Sequence, residues 1–245
     1  VERQVMESIT ENIRVASIKN RPLCQDTGTP IFYIQHPQQA SQKNISQAVY
    51  QGVRKATEAL PLRANTVDSL TQKNLGDNTG PGMPVIHFTQ SDKPETKITV
   101  FLKGGGSENA TRLYSLPEET LDAGRDLEGV KKCVLDAAVN TQGRACPPNF
   151  YGVCIGGLAD TSIAESKKQL LRFVDDENTD ESLLKLENDL KKSINSLGVG
   201  AMGLGGKNTA LSVKAAMLAR HPASFFVAVT VGCWALRRKT IEVGL

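Results

Sequence analysis

The sequence predicts an α+β protein in which helices pack around at least one mixed β-sheet. Segments with the apolar spacing of amphipathic helices are mixed with short β-branched runs, and no regular strand–helix–strand repeat is present. Two glycine-rich segments and a loop dense in Gly, Pro, Asn and Asp separate these elements. The 245 residues are enough for one large or two small domains with a hydrophobic core.

Two amphipathic helices and three strands are predicted in the first part of the chain. Residues 2–19 place apolar side chains on one helical face, and this helix ends before Pro22, because the residue before proline avoids helical backbone angles. Residues 46–60 repeat the helical spacing and predict the second helix. Residues 74–84 are predicted to form a loop. The predicted strands are residues 31–34, 85–88 and 97–102.

The remaining part is predicted to contain three helical regions and two extended segments. Three consecutive glycines at residues 104–106 separate it from the preceding strand. Residues 127–140 and 160–196 have helical spacing, and the second region contains a solvated acidic loop at residues 175–180. The apolar residues 210–219 are interpreted as a further helix. The extended segments are residues 153–157 and the buried strand 225–231.

Composition argues against a nucleic-acid or membrane partner. The formal net charge is +3, and the basic residues are scattered rather than clustered on one face. No apolar run approaches the roughly 18 residues that a membrane span needs. Because the first residues lack the layout of a signal peptide, a cytoplasmic, reducing location is expected. Five cysteines in such a location are expected to bind metal or act in catalysis rather than form disulfides.

Three of these cysteines lie where the chain changes direction. Cys24 follows a predicted helix end, Cys146 opens Cys-Pro-Pro, and Cys233 follows a predicted buried strand. The sequence contains no Cys-x-x-Cys pair, so a zinc finger or a ferredoxin-type cluster is not supported. Three separate thiolates can hold a cubane cluster and leave one iron open as a Lewis acid. The alternative is that they are small buried apolar residues, the role assigned to Cys133 and Cys154.

Several polar groups are candidates for binding or proton transfer, each with a structural alternative. The glycines of residues 103–109 let backbone amides approach an anion, although a tight turn has the same composition. His221 can transfer protons near neutral pH or serve only in structure. Arg63 and the pair at residues 237–238 are candidate carboxylate clamps or ordinary surface groups. His36, before a proline in a polar stretch, is expected at the surface.

Six segments, in this order, resemble the class I, iron–sulfur-dependent fumarase and L-tartrate dehydratase alpha-subunit family. They are Arg-Pro-Leu-Cys-Gln-Asp-Thr-Gly (21–28), Lys-Gly-Gly-Gly-Ser-Glu-Asn (103–109), Ala-Cys-Pro-Pro (145–148), Gly-Leu-Gly-Gly-Lys (203–207), Ala-Arg-His-Pro-Ala-Ser (219–224) and Gly-Cys-Trp-Ala-Leu-Arg-Arg (232–238). The resemblance implies the N-terminal-domain fold of class I fumarases. It also implies that residues 1–245 form one alpha-subunit domain, trimmed at both ends, without the C-terminal or beta domain.

The resemblance implies a role for each matching residue. Cys24, Cys146 and Cys233 match the ligands of a [4Fe–4S] cluster with one open iron site. His221 and Asp26 match catalytic residues. The residues that match the substrate site are Gln25, Arg63, Gly105 and Gly106.

The implied reaction is the interconversion of fumarate and L-malate by addition or removal of water. A beta subunit or C-terminal domain is expected to complete the active site for the small dicarboxylate, in an oligomeric enzyme. The triple-glycine motif favours fumarase, and an L-tartrate dehydratase alpha subunit is the alternative. A non-catalytic iron–sulfur sensor, an anion-binding module and a zinc-bound structural domain remain alternatives of other classes.

Overall fold

The computed structural model describes residues 1–244, and these divide into two compact units. The larger unit contains Val1–Thr10 and Gly106–Trp234; the smaller unit contains Glu11–Gly105 and the segment that begins at Ala235. In chain order the helices and strands are α1 (Glu2–Lys19), β1 (Thr29–His36), α2 (Gln42–Ala59), β2 (Val85–Gln90), β3 (Thr96–Lys103), α3 (Gly105–Glu108), β4 (Arg112–Ser115), α4 (Leu127–Thr141), β5 (Asn149–Gly156), α5 (Ala159–Gln169), α6 (Glu181–Ser196), β6 (Ala210–Leu218), β7 (Phe226–Gly232) and β8 (Arg237–Val243).

The smaller unit is a four-stranded mixed sheet with a helix on one face. The strand order is β2-β1-β3-β8; β1 runs parallel to β2 and antiparallel to β3, which pairs antiparallel with β8. Helix α2 begins at Ser41, whose hydroxyl accepts from Asn44 N. Its residues Val49 and Val53 are buried in the same cluster as Ile34 of β1. This packing gives the smaller unit its own core.

The larger unit contains the second mixed sheet, in the order β4-β7-β5-β6. Strand β5 runs parallel to β6 and antiparallel to β7, which pairs antiparallel with β4. Helices α4 and α6 contribute Val134 and Ile194 to the core that also buries Val153 of β5 and Val229 of β7. With two mixed sheets and six helices in residues 1–244, the α+β prediction is confirmed.

The prediction of a helix over residues 210–219 was wrong, because these residues form strand β6. The strand pairs with β5 on one edge, and side chains form hydrogen bonds with its backbone on the other edge. Ala215 N donates to Glu187 Oε1 at 2.7 Å, and Ala215 O accepts from Asn178 Nδ2 at 2.9 Å. Since these partners are distant in sequence, the local apolar composition did not reveal them.

The surface position predicted for His36 was also wrong. Its side chain is buried, with Nδ1 at 2.9 Å from Pro37 O and Nε2 at 3.0 Å from the Gln42 amide. The ring also packs edge-on against Phe88. These two polar partners satisfy both ring nitrogens, which is why a histidine can be buried here.

Among residues 1–244, no helix combines the length and the apolar character that crossing a bilayer requires.

Candidate functional site

The larger unit brings the backbone around Cys146 next to the segment that follows β7. Cys146 comes directly after a 3₁₀ helix, Gln142–Ala145, and has a left-handed backbone with φ of 51°. Its own N–H donates to Gly143 O at 3.1 Å, and its carbonyl accepts from Trp234 N at 3.3 Å. Trp234 directly follows Cys233, so the larger unit contains two of the three predicted cluster ligands on adjacent backbone segments.

Asn149, which the sequence analysis did not single out, bridges these two segments. The side chain is fully buried at 0% exposure. Its Nδ2 donates to Ala145 O at 2.8 Å and to Gly232 O at 3.2 Å, the carbonyls just before Cys146 and Cys233. The only available signal was its position directly after Cys-Pro-Pro.

His221 lies in an exposed turn between β6 and β7 in the larger unit. Ala223 N donates to its Nδ1 at 3.1 Å, so a neutral ring carries its proton on Nε2. Arg220 stabilises the turn, because its guanidinium donates to the carbonyls of His221, Pro222 and Ser224. The His221 ring is thereby oriented with Nε2 as its donor.

Gly106 begins the part of the triple-glycine motif that belongs to the larger unit. A Cβ at this position would lie 3.5 Å from Arg144 O, an ordinary contact distance. Two residues later, the carboxylate of Glu108 forms an ion pair with Lys167 of α5. The short helix α3 is therefore held to α5 by a partly buried charge pair.

Asp26 joins two motif segments within the smaller unit. Its Oδ1 accepts from Gly28 N at 2.9 Å, and its Oδ2 accepts from Gly105 N at 2.8 Å. Its carbonyl accepts from Arg237 Nη1 at 2.8 Å. Arg237, a candidate carboxylate clamp, therefore supports the backbone of the Asp26 loop through one of its guanidinium nitrogens.

The loop that contains Cys24 and Gln25 is tied to the segment around Arg63. Thr27, which is buried, accepts from Arg63 N at 3.0 Å. The Arg63 carbonyl accepts from Asn78 Nδ2 at 2.9 Å. Arg63 itself is exposed to solvent. Gln25 is exposed, with its Oε1 3.9 Å from Cys24 Sγ. The smaller unit therefore fixes the backbone of Arg63 beside the Cys24 loop.

The five cysteines, all among the described residues, are thiols that fall into two groups. Cys133 and Cys154 are fully buried, which confirms their assignment to the core. Burial raises the pKa of the Cys133 thiol to about 12 and that of Cys154 to about 11. Cys24, Cys146 and Cys233 are half-buried. Only these three therefore have the partial exposure expected of metal ligands.

Alkylation of the native, metal-free protein at pH 8 should separate these groups. We expect iodoacetamide to modify Cys24, Cys146 and Cys233, because only accessible thiolates react rapidly. Cys133 and Cys154 should stay unmodified until the chain is unfolded, since burial keeps them protonated. Peptide mass spectrometry after a short exposure measures each site. Equal modification of all five thiols in folded protein would contradict the assignment.

The donor set fits an iron–sulfur cluster in its chemistry. Thiolates are the ligands that such clusters use, and a set of three thiols would leave one iron of a four-iron cluster without a protein ligand. Cys146 and Cys233 belong to the larger unit, and Cys24 belongs to the smaller unit. Within residues 1–244, no three His, Cys, Asp or Glu side chains are grouped around a position for a single metal ion.

Comparison with known proteins identifies the family. A sequence model described as fumarate hydratase (Fumerase) matches residues 1–242. A Geobacillus stearothermophilus protein, provisionally named fumarate hydratase class I, is 44% identical over 97% of this chain and 47% of its own length. A Methanocaldococcus jannaschii protein, provisionally named L(+)-tartrate dehydratase subunit alpha, is 39% identical over 100% of this chain and 86% of its own length.

A third relative is the L(+)-tartrate dehydratase subunit alpha of Escherichia coli strain K12. It is 33% identical over 98% of this chain and 78% of its own length. This chain thus spans about half the length of the Geobacillus protein and most of the length of the two alpha subunits. The predicted family is confirmed: the chain belongs to the fumarate hydratase (Fumerase) family.

Proposed function

We propose that this chain is the alpha-subunit part of a hydro-lyase that interconverts fumarate and L-malate. The observation that carries the proposal is the contact of Asp26 with Gly105, which joins two family motifs in one unit. A carboxylate and an arginine with a fixed backbone and an exposed side chain therefore belong to one structural unit. These are the groups needed to orient a dicarboxylate and to move a proton.

We propose Cys24, Cys146 and Cys233 as the ligands of a [4Fe–4S] cluster with one open iron. The support is their partial exposure and the burial of the two other thiols. When bound, the cluster supplies a Lewis acid that polarises the hydroxyl and carboxylate of the substrate.

The chain's own residues have distinct proposed roles. Arg63 pairs with a substrate carboxylate, because an exposed guanidinium matches it in a bidentate geometry. Gly106 offers a backbone amide, whereas the Gly105 amide already donates to Asp26. Gln25, exposed beside Cys24, adds a polar group at the substrate. His221 holds or donates a proton at Nε2, and Asp26 acts as the second proton-transfer group.

The second candidate substrate is L-tartrate, which differs from malate by one additional hydroxyl. Two relatives are named as L(+)-tartrate dehydratase alpha subunits, whereas the Geobacillus relative is named as a fumarate hydratase. We propose fumarate first, because the 103–109 motif favours it.

Relatives named as alpha subunits imply a beta subunit. We propose that a beta subunit or an equivalent C-terminal domain supplies the remaining catalytic groups and that the enzyme is an oligomer. On this proposal, the isolated chain binds the cluster but converts substrate slowly or not at all.

The test is anaerobic reconstitution of the chain with iron and sulfide, followed by assays with and without the beta partner. The substrate panel is fumarate, L-malate, L-tartrate and mesaconate. We expect cluster absorbance in both samples, and fumarate–malate turnover only with the partner. Preferred turnover of L-tartrate would select the second candidate. Full activity of the isolated chain would contradict the role given to the partner. A stable cluster without turnover of any substrate in the complex would instead favour a sensor.

A further inference from the structure

We infer that Asn149 is a positioning residue for the cluster, because it ties together the backbone segments that precede Cys146 and Cys233. The inference rests on the proposed function, in which both cysteines are cluster ligands. It concerns the larger unit alone, where the asparagine and both of these segments are described. It goes beyond the proposed ligand set by identifying the residue that fixes the backbone before two of the ligands.

The geometry places one buried amide between two carbonyls. Asn149 is the first residue of β5, and its backbone N–H donates to Thr209 O at 2.8 Å. Its side-chain Nδ2 donates to Ala145 O at 2.8 Å and to Gly232 O at 3.2 Å. Each acceptor directly precedes a cysteine, so displacement of either carbonyl moves the neighbouring thiol.

The orientation of this amide follows from its partners. Carbonyl oxygens only accept hydrogen bonds, so Nδ2 must face Ala145 and Gly232. The Oδ1 atom is then buried without a hydrogen-bond partner in the part of the chain that the structure describes. A buried acceptor without a partner lowers stability, and an apolar side chain of similar size has no such atom. The two hydrogen bonds donated by Nδ2 offset this cost, and what they join is the backbone of the two cysteine segments.

The Cys146 backbone needs such support. Cys146 is in the left-handed region with φ of 51°, which an L-residue adopts only when its surroundings hold it there. Asn149 fixes the carbonyl before it, while Trp234 N binds its own carbonyl. Without the Asn149 amide, the Ala145 and Gly232 carbonyls lose the donor they share. The two thiols would then be less well positioned for a common cluster.

The test compares Asn149→Ser with Asn178→Ser in the full chain, reconstituted anaerobically. Asn178 is the matched control, because its Nδ2 also donates to two acceptors in the larger unit, Glu187 Oε1 and Ala215 O. Iron and sulfide content, the rate of cluster release to a chelator, and the electron paramagnetic resonance spectrum are measured with the melting temperature of the cluster-free chain. Asn149→Leu is a second variant that keeps the approximate size of the side chain but removes its donor.

We expect Asn149→Ser and Asn149→Leu to weaken cluster retention about 10–100-fold and to change the resonance spectrum, which is the usual effect of losing a group that supports metal ligands. Asn178→Ser should keep wild-type retention even where its melting temperature falls. If the serine variant does not fold, the leucine variant gives the same comparison. Wild-type retention of the cluster in a folded Asn149 variant would overturn this inference and leave the proposed function standing. Cluster release from Asn178→Ser as fast as from the Asn149 variants would do the same. A wild-type chain that takes up no cluster would instead refute the proposed cofactor and this inference with it.

Discussion

Replacing Asp26 with asparagine is expected to reduce turnover of the assembled enzyme about 10²–10⁴-fold, the range typical of a lost proton-transfer group. The structure supplies a second reason for a large effect. Both carboxylate oxygens accept backbone N–H groups, from Gly28 and from Gly105. An asparagine must present its NH₂ group to one of these donors, so one contact is lost. The Asp26→Asn variant thus loses an acid–base group and one attachment to the glycine motif.

The measurement is turnover of fumarate across a range of pH in the reconstituted two-subunit enzyme. Asp68→Asn is the matched control, because Asp68 accepts from the backbone of Leu70 and Thr71 in the same unit and lies outside the family motifs. The control should keep full activity. Proton transfer by Asp26 predicts a changed shape of the pH–rate profile. A uniform decrease with unchanged shape would leave Asp26 only the anchoring role, and unchanged turnover would remove both.

Replacing Glu187 with alanine is expected to lower the free energy of unfolding of the larger unit by about 2–4 kcal/mol, because it removes a buried carboxylate oxygen that accepts three hydrogen bonds, while Arg172 keeps its ion pair with Asp176. Glu187 is 4% exposed, and its Oε1 accepts from Arg172 Nη1 at 2.8 Å. The same oxygen accepts from Asn178 Nδ2 at 2.9 Å and Ala215 N at 2.7 Å. Removing it leaves the outer N–H of edge strand β6 without its acceptor.

Urea unfolding followed by circular dichroism measures this loss. Glu128→Ala is the matched control, because Glu128 pairs with Lys131 on the surface of α4 with its side chain 73% exposed. An exposed pair of this kind contributes less than about 1 kcal/mol. Glu187→Gln keeps an acceptor oxygen and should fall between the two. A Glu187→Ala loss no larger than that of Glu128→Ala would show that the pair does not stabilise β6.

Elements with strong periodicity were predicted well from the sequence. Helices α1 and α4 begin and end within about two residues of their predicted bounds, since apolar spacing and capping residues are local signals. Strands β4 and β8 were not predicted. Both pair with strands distant in the chain, and β8 has mostly polar, exposed residues. Their pairing depends on tertiary contacts that no local window contains.

For the candidate site, the sequence indicated the motif residues but not the residues that support them. The motif residues Cys24, Asp26, Cys146, His221 and Cys233 were selected from the sequence, because their types and order match the family. Their supporting residues were not. Asn149 acts on carbonyls at positions 145 and 232, and Arg237 acts on the carbonyl of Asp26. Such side-chain-to-backbone bonds carry no composition signal at either partner.

The sequence by itself therefore determined the α+β class and the family, and it supplied the residues that we propose for the site. Tertiary structure decided that residues 210–218 form a strand, that His36 is buried, and that Arg237 donates to the backbone of the Asp26 loop. The physical reason is the range of the interactions. Apolar periodicity and short motifs depend on residues that are neighbours in the sequence, whereas strand pairing and buried hydrogen bonds join groups far apart in the chain.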